Sequence, residues 1–185
     1  MTKKSMMMTT ANLENPEPDK PVRKPRRARK KASPATAKKL PSNPFMNEIL
    51  ELVSEQKTDA KKVAILKEYE CDILKSLFIW NFDDSIISLL PEGKVPYKPN
   101  ENPLGTDHSS LRREQRSLYN FVKGGNDQLS TIRRETIFIQ MLEGLHPKEA
   151  DIIVAVKDGD LEDMYDVPFE VVEEAYPDIE WGGRS

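Results

Sequence analysis

After residue 43, apolar residues recur every three or four positions, the spacing of helices with one buried face. Phe45, Ile49 and Val53 form the first such stripe. Asn43-Pro44 suits its start, because asparagine caps helices well and proline fits the first turn. Similar stripes run through residues 58–82, 109–122, 131–142, 147–158 and 168–176. The pattern predicts a mainly α fold, a small helical domain of about six short helices.

Residues 84–90 have no clear period. The pairs Ile86-Ile87 and Leu89-Leu90 fit either a short buried strand or one helical turn. We therefore expect at most one short strand or hairpin beside the helices.

A long loop follows at residues 91–108, where four prolines and two glycines oppose regular structure. Pro96-Tyr97-Lys98-Pro99 favours a polyproline II conformation, on which Tyr97 could form a contact surface. Alternatively, Tyr97 packs inward and anchors the loop. We take Tyr97, Lys98 and Lys123 as candidate partner-binding residues. A closed polar pocket beside them would instead favour an enzyme of unrecognised type.

The glycines after the 109–122 stripe have two interpretations. In Lys123-Gly124-Gly125, a glycine suits the left-handed residue that ends many helices. The start of the next helix, with Arg133 and Arg134 nearby, could also hold a phosphate. We favour the turn, because neither P-loop spacing nor a preceding strand is present.

Residues 1–43 have a different composition from the rest. Prolines are frequent, and the sizeable apolar residues after the first methionines are only Leu13, Val22 and Leu40. Such a segment buries too little apolar surface to offset the entropy of ordering the chain. We therefore expect a disordered arm over 1–43 and a single domain over 44–185.

Arm and domain carry opposite charge. Residues 1–43 hold twelve lysines and arginines against three acidic residues, a net charge of +9, whereas the remaining sixteen basic and twenty-eight acidic residues give −12. A mobile polycation attracts phosphates by charge and counterion release. The arm has no aromatic residue for base stacking, so the expected nucleic-acid binding is non-specific. The candidate nucleic-acid-binding residues are Arg23, Lys24, Arg26, Arg27, Arg29, Lys30 and Lys31.

Other partners for the arm stay open. It could contact an acidic protein, contact the protein's own acidic domain, or only increase solubility. In a eukaryote the same basic run would also indicate nuclear import.

Recognisable catalytic and metal motifs are missing from the sequence. A single cysteine, Cys71, allows neither an intramolecular disulfide nor a cysteine-based zinc site, and fits a reducing compartment. His108 and His146 have no evident triad partner, and His146 before Pro147 fits a helix cap. The acidic run 158–163 fails as a calcium loop and is better explained as a solvated turn. We expect no catalytic residues, no metal, no cofactor and no membrane span.

Several motifs resemble an uncharacterised family of proteins from T4-like tailed phages, including cyanophages. The matching pieces, in order over residues 46–179, are Lys62–Lys67, Leu90–Gly93, Pro96–Glu101, Phe121–Gly125, Arg134-Glu135, Phe138-Ile139, Leu142–Gly144, His146-Pro147, Ala150 and Glu174–Pro177. The basic arm and the insert around 160–166 depart from the family's pattern. The resemblance implies a phage protein acting in bacterial cytoplasm or in a virion, and it implies no catalytic residue.

We therefore expect a phage accessory binding protein that is not an enzyme. Its arm would engage nucleic acid and its acidic domain would dock a protein. The alternatives are a protein-interaction module whose arm contacts an acidic protein, and an enzyme of unrecognised type. The oligomeric state is left open.

Overall fold

The computed structural model describes residues 39–103 and 108–183. Within these ranges there are eight α-helices and one 3-10 helix, so the predicted helical class is confirmed. The α-helices are α1 (Met46–Ser54), α2 (Asp59–Glu68), α3 (Asp72–Phe82), α4 (Leu111–Glu114), α5 (Thr131–Gly144), α6 (Pro147–Asp158), α7 (Leu161–Tyr165) and α8 (Phe169–Ala175); the 3-10 helix is Gln115–Phe121.

Helix α6 lies at the centre of the packing. It contacts α1, α3, α5 and α7, while α2 packs against α1 and α8. Helix α6 suits this central position because three of its large apolar residues, Ile152, Ile153 and Val156, are buried. Aromatic rings extend this core, with Trp80 stacked on Phe121 at 6.2 Å between ring centroids.

The start and end of α6 agree with the sequence. His146 is the N-cap, and its Nδ1 accepts the Lys148 backbone N–H at 3.3 Å. The helix ends at Gly159, whose φ of 81° is in the left-handed region that glycine adopts readily.

Residues 86–89 form neither a helical turn nor a hairpin. Ser88 makes an isolated antiparallel bridge with Val122. The Leu89 N–H donates to the Phe121 carbonyl at 2.8 Å, and the Lys123 N–H donates to the Ile87 carbonyl at 2.9 Å. This bridge holds the segment after α3 beside the end of the 3-10 helix.

Three local predictions need correction. The first helix begins at Met46 instead of Pro44, with the Phe45 N–H donating to Glu48 Oε2 at 2.9 Å. The stretch 109–122 is split between α4 and the 3-10 helix; Leu118 and Phe121, three residues apart, share a buried face, as 3-10 geometry requires.

The third correction concerns the acidic run, which was expected to be a solvated turn. It leads into α7, because Leu161 and Tyr165 are buried. The Leu161 N–H also donates to Asn81 Oδ1 at 3.1 Å, so a side chain of α3 holds the first turn.

Candidate functional site

The proline loop is attached to the helices along its length. Tyr97 is half-buried against the core, and its hydroxyl donates to Asp151 Oδ1 at 3.4 Å. Burial and the nearby carboxylate raise the pKa of this phenol. The Lys98 N–H donates to Glu143 Oε1 at 3.2 Å, while its side chain is exposed. These contacts support the anchoring role for Tyr97, and partner binding by Tyr97 and Lys98 stays a prediction.

Lys157 holds the start of the same loop. Its ammonium group is buried in α6 and donates to the carbonyl oxygens of Pro91 at 2.9 Å and Gly93 at 3.2 Å. Asp158 completes the ion pair. A buried lysine therefore fixes a turn that has no regular structure of its own.

Lys123 lies in a separate place, at the bridge with Ile87, with its side chain exposed. The turn after it is fixed by the buried Arg134. The guanidinium donates to the carbonyl oxygens of Asn120 at 2.7 Å and Asn126 at 3.0 Å. Gly124 has the predicted left-handed φ, 82°, although Val122 instead of a glycine caps the helix. Because Arg134 holds backbone carbonyls, the turn interpretation of Lys123-Gly124-Gly125 gains support.

The arm candidates Arg23, Lys24, Arg26, Arg27, Arg29, Lys30 and Lys31 lie outside the described residues. Their binding of nucleic acid stays a prediction, and so does the domain boundary at residue 43.

Two of the concave sites on the described part of the domain lie away from residues 91–99 of the proline loop. The first is an open cleft of about 570 Å³ between α3, the 3-10 helix and the bridge segment, residues 86–89. We call it the groove. Its lining is partly apolar and partly polar, with Asp72, Ser76, Ile79, Trp80, Ile86, Gln115, Arg116, Leu118, Tyr119 and Val122.

Trp80 and Tyr119 are the two aromatic residues that line the groove. The Trp80 side chain is only 7% exposed, and its indole Nε1 has no hydrogen-bond partner among the described residues. A buried indole N–H usually finds an acceptor. Tyr119, by contrast, is 53% exposed, so its ring is accessible on the groove wall. The groove thus places the exposed ring of Tyr119 near the buried ring of Trp80.

The second site has a volume of about 190 Å³, and we call it the polar pocket. It lies where the segment before α1, the start of α4 and one residue of α6 meet. The lining residues are Asn43, Pro44, Phe45, His108, Ser110, Arg112, Arg113 and Glu149.

Glu149 forms the fixed part of this pocket. Its carboxylate is fully buried, with Oε1 accepting the Met46 N–H and Oε2 accepting the Leu111 N–H, both at 3.0 Å. Burial raises the carboxyl pKa above the usual range, and the two backbone hydrogen bonds and Arg112 act in the opposite direction. One side chain therefore ties the starts of α1 and α4 to α6.

The two histidines, for which no sequence pattern indicated a pairing, lie against each other. The rings of His108 and His146 meet edge to face at 5.3 Å between centroids, and Phe45 stacks on His146 at 6.2 Å. Burial, and after it the neighbouring His108, lowers the pKa of His146. His146 is thus disposed to stay neutral as the cap of α6.

Over residues 39–103 and 108–183, no cluster of three or more histidine, cysteine or acidic side chains is placed to hold a metal ion. In the same ranges no helix has the length and apolar character needed to cross a membrane.

A family model described as a family of unknown function, DUF6433, matches residues 49–163. The chain belongs to DUF6433. The DUF6433 match contains all of the groove, the proline loop and most of the polar pocket; the arm, the 43–45 wall of the pocket and α8 lie outside it. No curated protein and no solved structure matches the chain.

Sequence reasoning missed both concave sites in this DUF6433 chain. Trp80 was counted only as part of an apolar stripe, and Tyr119 was not selected. A signal for Tyr119 did exist: it directly follows the apolar Leu118 in the 109–122 stripe, and successive residues of a helix point in different directions, which favours a position off the buried face. For the polar pocket no such signal existed, because its walls are far apart in the chain.

Proposed function

We propose that this protein is a binding protein without enzymatic activity, whose helical domain takes an extended protein segment into the groove. The observation that carries the proposal is the exposed ring of Tyr119 beside the exposed side chain of Arg116, on the wall of an open groove of about 570 Å³. Its N-terminal arm engages nucleic-acid phosphates, so the protein links a protein partner to nucleic acid.

The chemistry of the groove defines the bound segment. Ile79, Ile86 and Val122 supply apolar wall for one large apolar side chain. Tryptophan, tyrosine and arginine are also the residues that most often dominate the energy of protein interfaces.

Arg116 adds charge selectivity. Its side chain is exposed on the groove wall, and it makes no ion pair with another described residue. An acidic residue next to the apolar anchor would pair with it, so the expected segment is apolar and acidic. Asp72 on the opposite wall disfavours a second acidic group there.

The groove is tested by panning a random peptide library against the full chain. We expect enriched peptides that share a large apolar residue and a nearby aspartate or glutamate. Their binding should fall at least about tenfold, or about 1.4 kcal/mol, in Tyr119→Ala and in Arg116→Glu. Ile132→Ala is the matched control, because Ile132 is 80% exposed and lines no part of the groove. Peptides that bind Tyr119→Ala and Arg116→Glu as well as the unaltered protein would overturn this part of the proposal.

For the arm, the charge division of +9 against −12 is the support. Fluorescence anisotropy with short DNA and RNA across about 50–200 mM salt measures its binding. We expect affinity to fall steeply with salt, and to be lost when the seven arm candidates are changed to glutamine. Equal affinity in the unaltered chain, the glutamine variant and a chain starting at Asn43 would exclude the arm as the binding element.

The alternative without nucleic acid is separated by nuclease treatment. If the arm contacts an acidic protein directly, partners captured through the arm survive nuclease; if nucleic acid bridges them, they are lost.

The enzyme alternative required a closed polar pocket beside Tyr97, Lys98 and Lys123. A cavity of about 90 Å³ does lie against the proline loop, but its lining is mainly apolar, which favours binding over catalysis.

We also propose that the protein acts in the cytoplasm of a bacterium infected by a tailed phage, or in the virion. The support is the sequence resemblance alone. The genes that flank DUF6433 members test it: most should lie among phage genes, and a consistent position among bacterial housekeeping genes would contradict the proposal.

A further inference from the structure

We propose that the segment bound in the groove is an extended chain with a regular pattern: two acidic residues two positions apart, and the large apolar residue two positions beyond them. The pattern can run in either chain direction. This inference rests on the proposed function, because it specifies the segment that the groove takes. It is carried by a row of three exposed side chains, Arg113, Arg116 and Tyr119, of which the last two line the groove. We call this row the ridge.

The ridge follows from the tight turns of this part of the chain. Arg116 and Tyr119 lie on the 3-10 helix, where residues three apart lie above one another. In α4 the Arg113 N–H donates at 2.8 Å to the carbonyl of Ser110, which is also three residues back, so the same period begins there. Between residues 111 and 122 these three side chains are the exposed ones. The ridge is therefore a nearly straight row, with about 6 Å between successive residues.

The two guanidinium groups of the ridge are available to a partner. Neither Arg113 nor Arg116 forms an ion pair with another described residue. The acid between them, Glu114, accepts hydrogen bonds from the hydroxyls of Ser109 at 2.7 Å and Ser117 at 3.4 Å, one on each carboxylate oxygen. The ridge thus presents two positive charges and then an aromatic ring, which selects acidic, acidic and apolar side chains in that order.

An extended segment matches the ridge better than a helix does. In a strand, alternate side chains point the same way and are about 6.6 Å apart, close to the spacing of the ridge. In an α-helix, residues three apart are offset by about 60° around the axis, so a third residue at this spacing is turned away by about 120°. A strand therefore brings all three of its side chains to the ridge, whereas a helix brings only two.

The rest of the groove favours a protein segment over single-stranded nucleic acid. Arginines beside an exposed tyrosine would also suit a phosphate backbone with stacked bases. However, Ile79, Ile86 and Val122 line the same groove as the tyrosine, and they suit an apolar side chain. Asp72 on the opposite wall opposes a continuous polyanion.

Peptides enriched against the full chain test the pattern when they are aligned on their large apolar residue. We expect acidic residues two and four positions from it, on the same side in the sequence. Labelled synthetic peptides of this pattern then give the affinity by fluorescence anisotropy. Moving the outer acid by one position turns it to the other face of the strand, and should weaken binding about three- to fivefold, the effect of an exposed ion pair.

Arg113→Gln should cause the same loss, and it should have no effect on a peptide whose outer acid is replaced by glutamine. Arg113→Glu should bind a peptide with lysine at that position more tightly than it binds the original peptide. Arg133→Gln is the matched control, because it removes the same charge from an exposed residue of α5, outside the ridge.

The results separate this inference from the proposed function. Peptides that depend on Tyr119 and Arg116 but carry acids at other spacings, or that bind both Arg113 variants as the unaltered protein does, would overturn the pattern and leave the groove proposal standing. Peptides that bind independently of Tyr119 and Arg116 would defeat the groove proposal, and the pattern with it.

Single-stranded DNA tests the other occupant considered for the ridge. The full-length variant with the seven arm candidates changed to glutamine should not bind it. Binding by this variant that falls when Arg113→Gln is added would assign the ridge to nucleic acid and overturn the inference.

Discussion

The Glu149 side chain accepts a hydrogen bond from the backbone N–H of Leu111 at 3.0 Å, although 38 residues separate them in the chain. Its other oxygen accepts the Met46 N–H, 103 residues away. One buried carboxylate thus connects the first helix, the segment after the proline loop and the central helix α6.

We expect Glu149→Gln to lower the free energy of unfolding by about 2 kcal/mol. An amide can accept only one of the two N–H groups, and the other then faces an NH₂ group; part of this loss is offset because no charge is buried. Urea unfolding measures the change. Glu162→Gln is the control, since Glu162 is exposed, and it should stay within about 0.5 kcal/mol of the unaltered protein. Similar values for the two variants would show that the carboxylate bridge is unimportant.

Glu149 should also make the free energy of unfolding depend on pH. The folded-state pKa of Glu149 is raised above the ordinary glutamate value of 4.5. Between pH 4.5 and the raised pKa, the Glu149 carboxyl is protonated in a larger fraction of the folded molecules than of the unfolded ones. Stability should therefore fall as pH rises through that window. Unfolding curves of unaltered protein and Glu149→Gln should show this fall only in the former, and a parallel dependence in both would contradict the assignment.

Gly125→Ala should lower the free energy of unfolding by at least about 2 kcal/mol. A Cβ at Gly125 would lie 1.9 Å from the Tyr119 carbonyl oxygen, and a backbone atom cannot move aside without disturbing the 3-10 helix. Gly144→Ala is the matched control: nothing lies within 4 Å of its Cβ position, and it ends a regular helix. Thermal unfolding should show this control unchanged or stabilised by about 0.5–1 kcal/mol. A mild effect at Gly125 would mean that the turn has room to shift.

Lys157→Met should lower the free energy of unfolding by about 3 kcal/mol. The change keeps the volume but leaves the Pro91 and Gly93 carbonyls and the Asp158 carboxylate without their buried donor. Amide hydrogen exchange at Lys98 should accelerate in the same variant, because the loop loses its first attachment. Lys61→Met, on an exposed part of α2, should change neither quantity.

Tyr97→Ala distinguishes the two roles considered for this residue. If the ring anchors the loop, its loss should destabilise the domain by about 2 kcal/mol, whereas Tyr97→Phe should cost less than about 0.5 kcal/mol, because the hydroxyl makes only a 3.4 Å contact. Chemical denaturation of the two variants provides the measurement. Unchanged stability in Tyr97→Ala would favour the contact-surface role instead.

Local features of the fold could be predicted from the sequence. The stripes located most helices, and His146-Pro147 and Gly159 gave the start and end of α6, because these signals act between residues within one turn of each other. The division of charge between the arm and the rest is likewise a property of composition.

Only the tertiary structure decided which distant residues meet. The acidic run 158–163, predicted to be a solvated turn, leads into α7 because Leu161 and Tyr165 are buried against other helices. His108, Arg112 and Glu149 line one pocket although the chain places them on three elements, and Trp80 shares a groove with Tyr119 for the same reason. Helical periodicity specifies which face of a helix is buried. It does not specify what that face contacts, because the packing of all the helices together determines the partner.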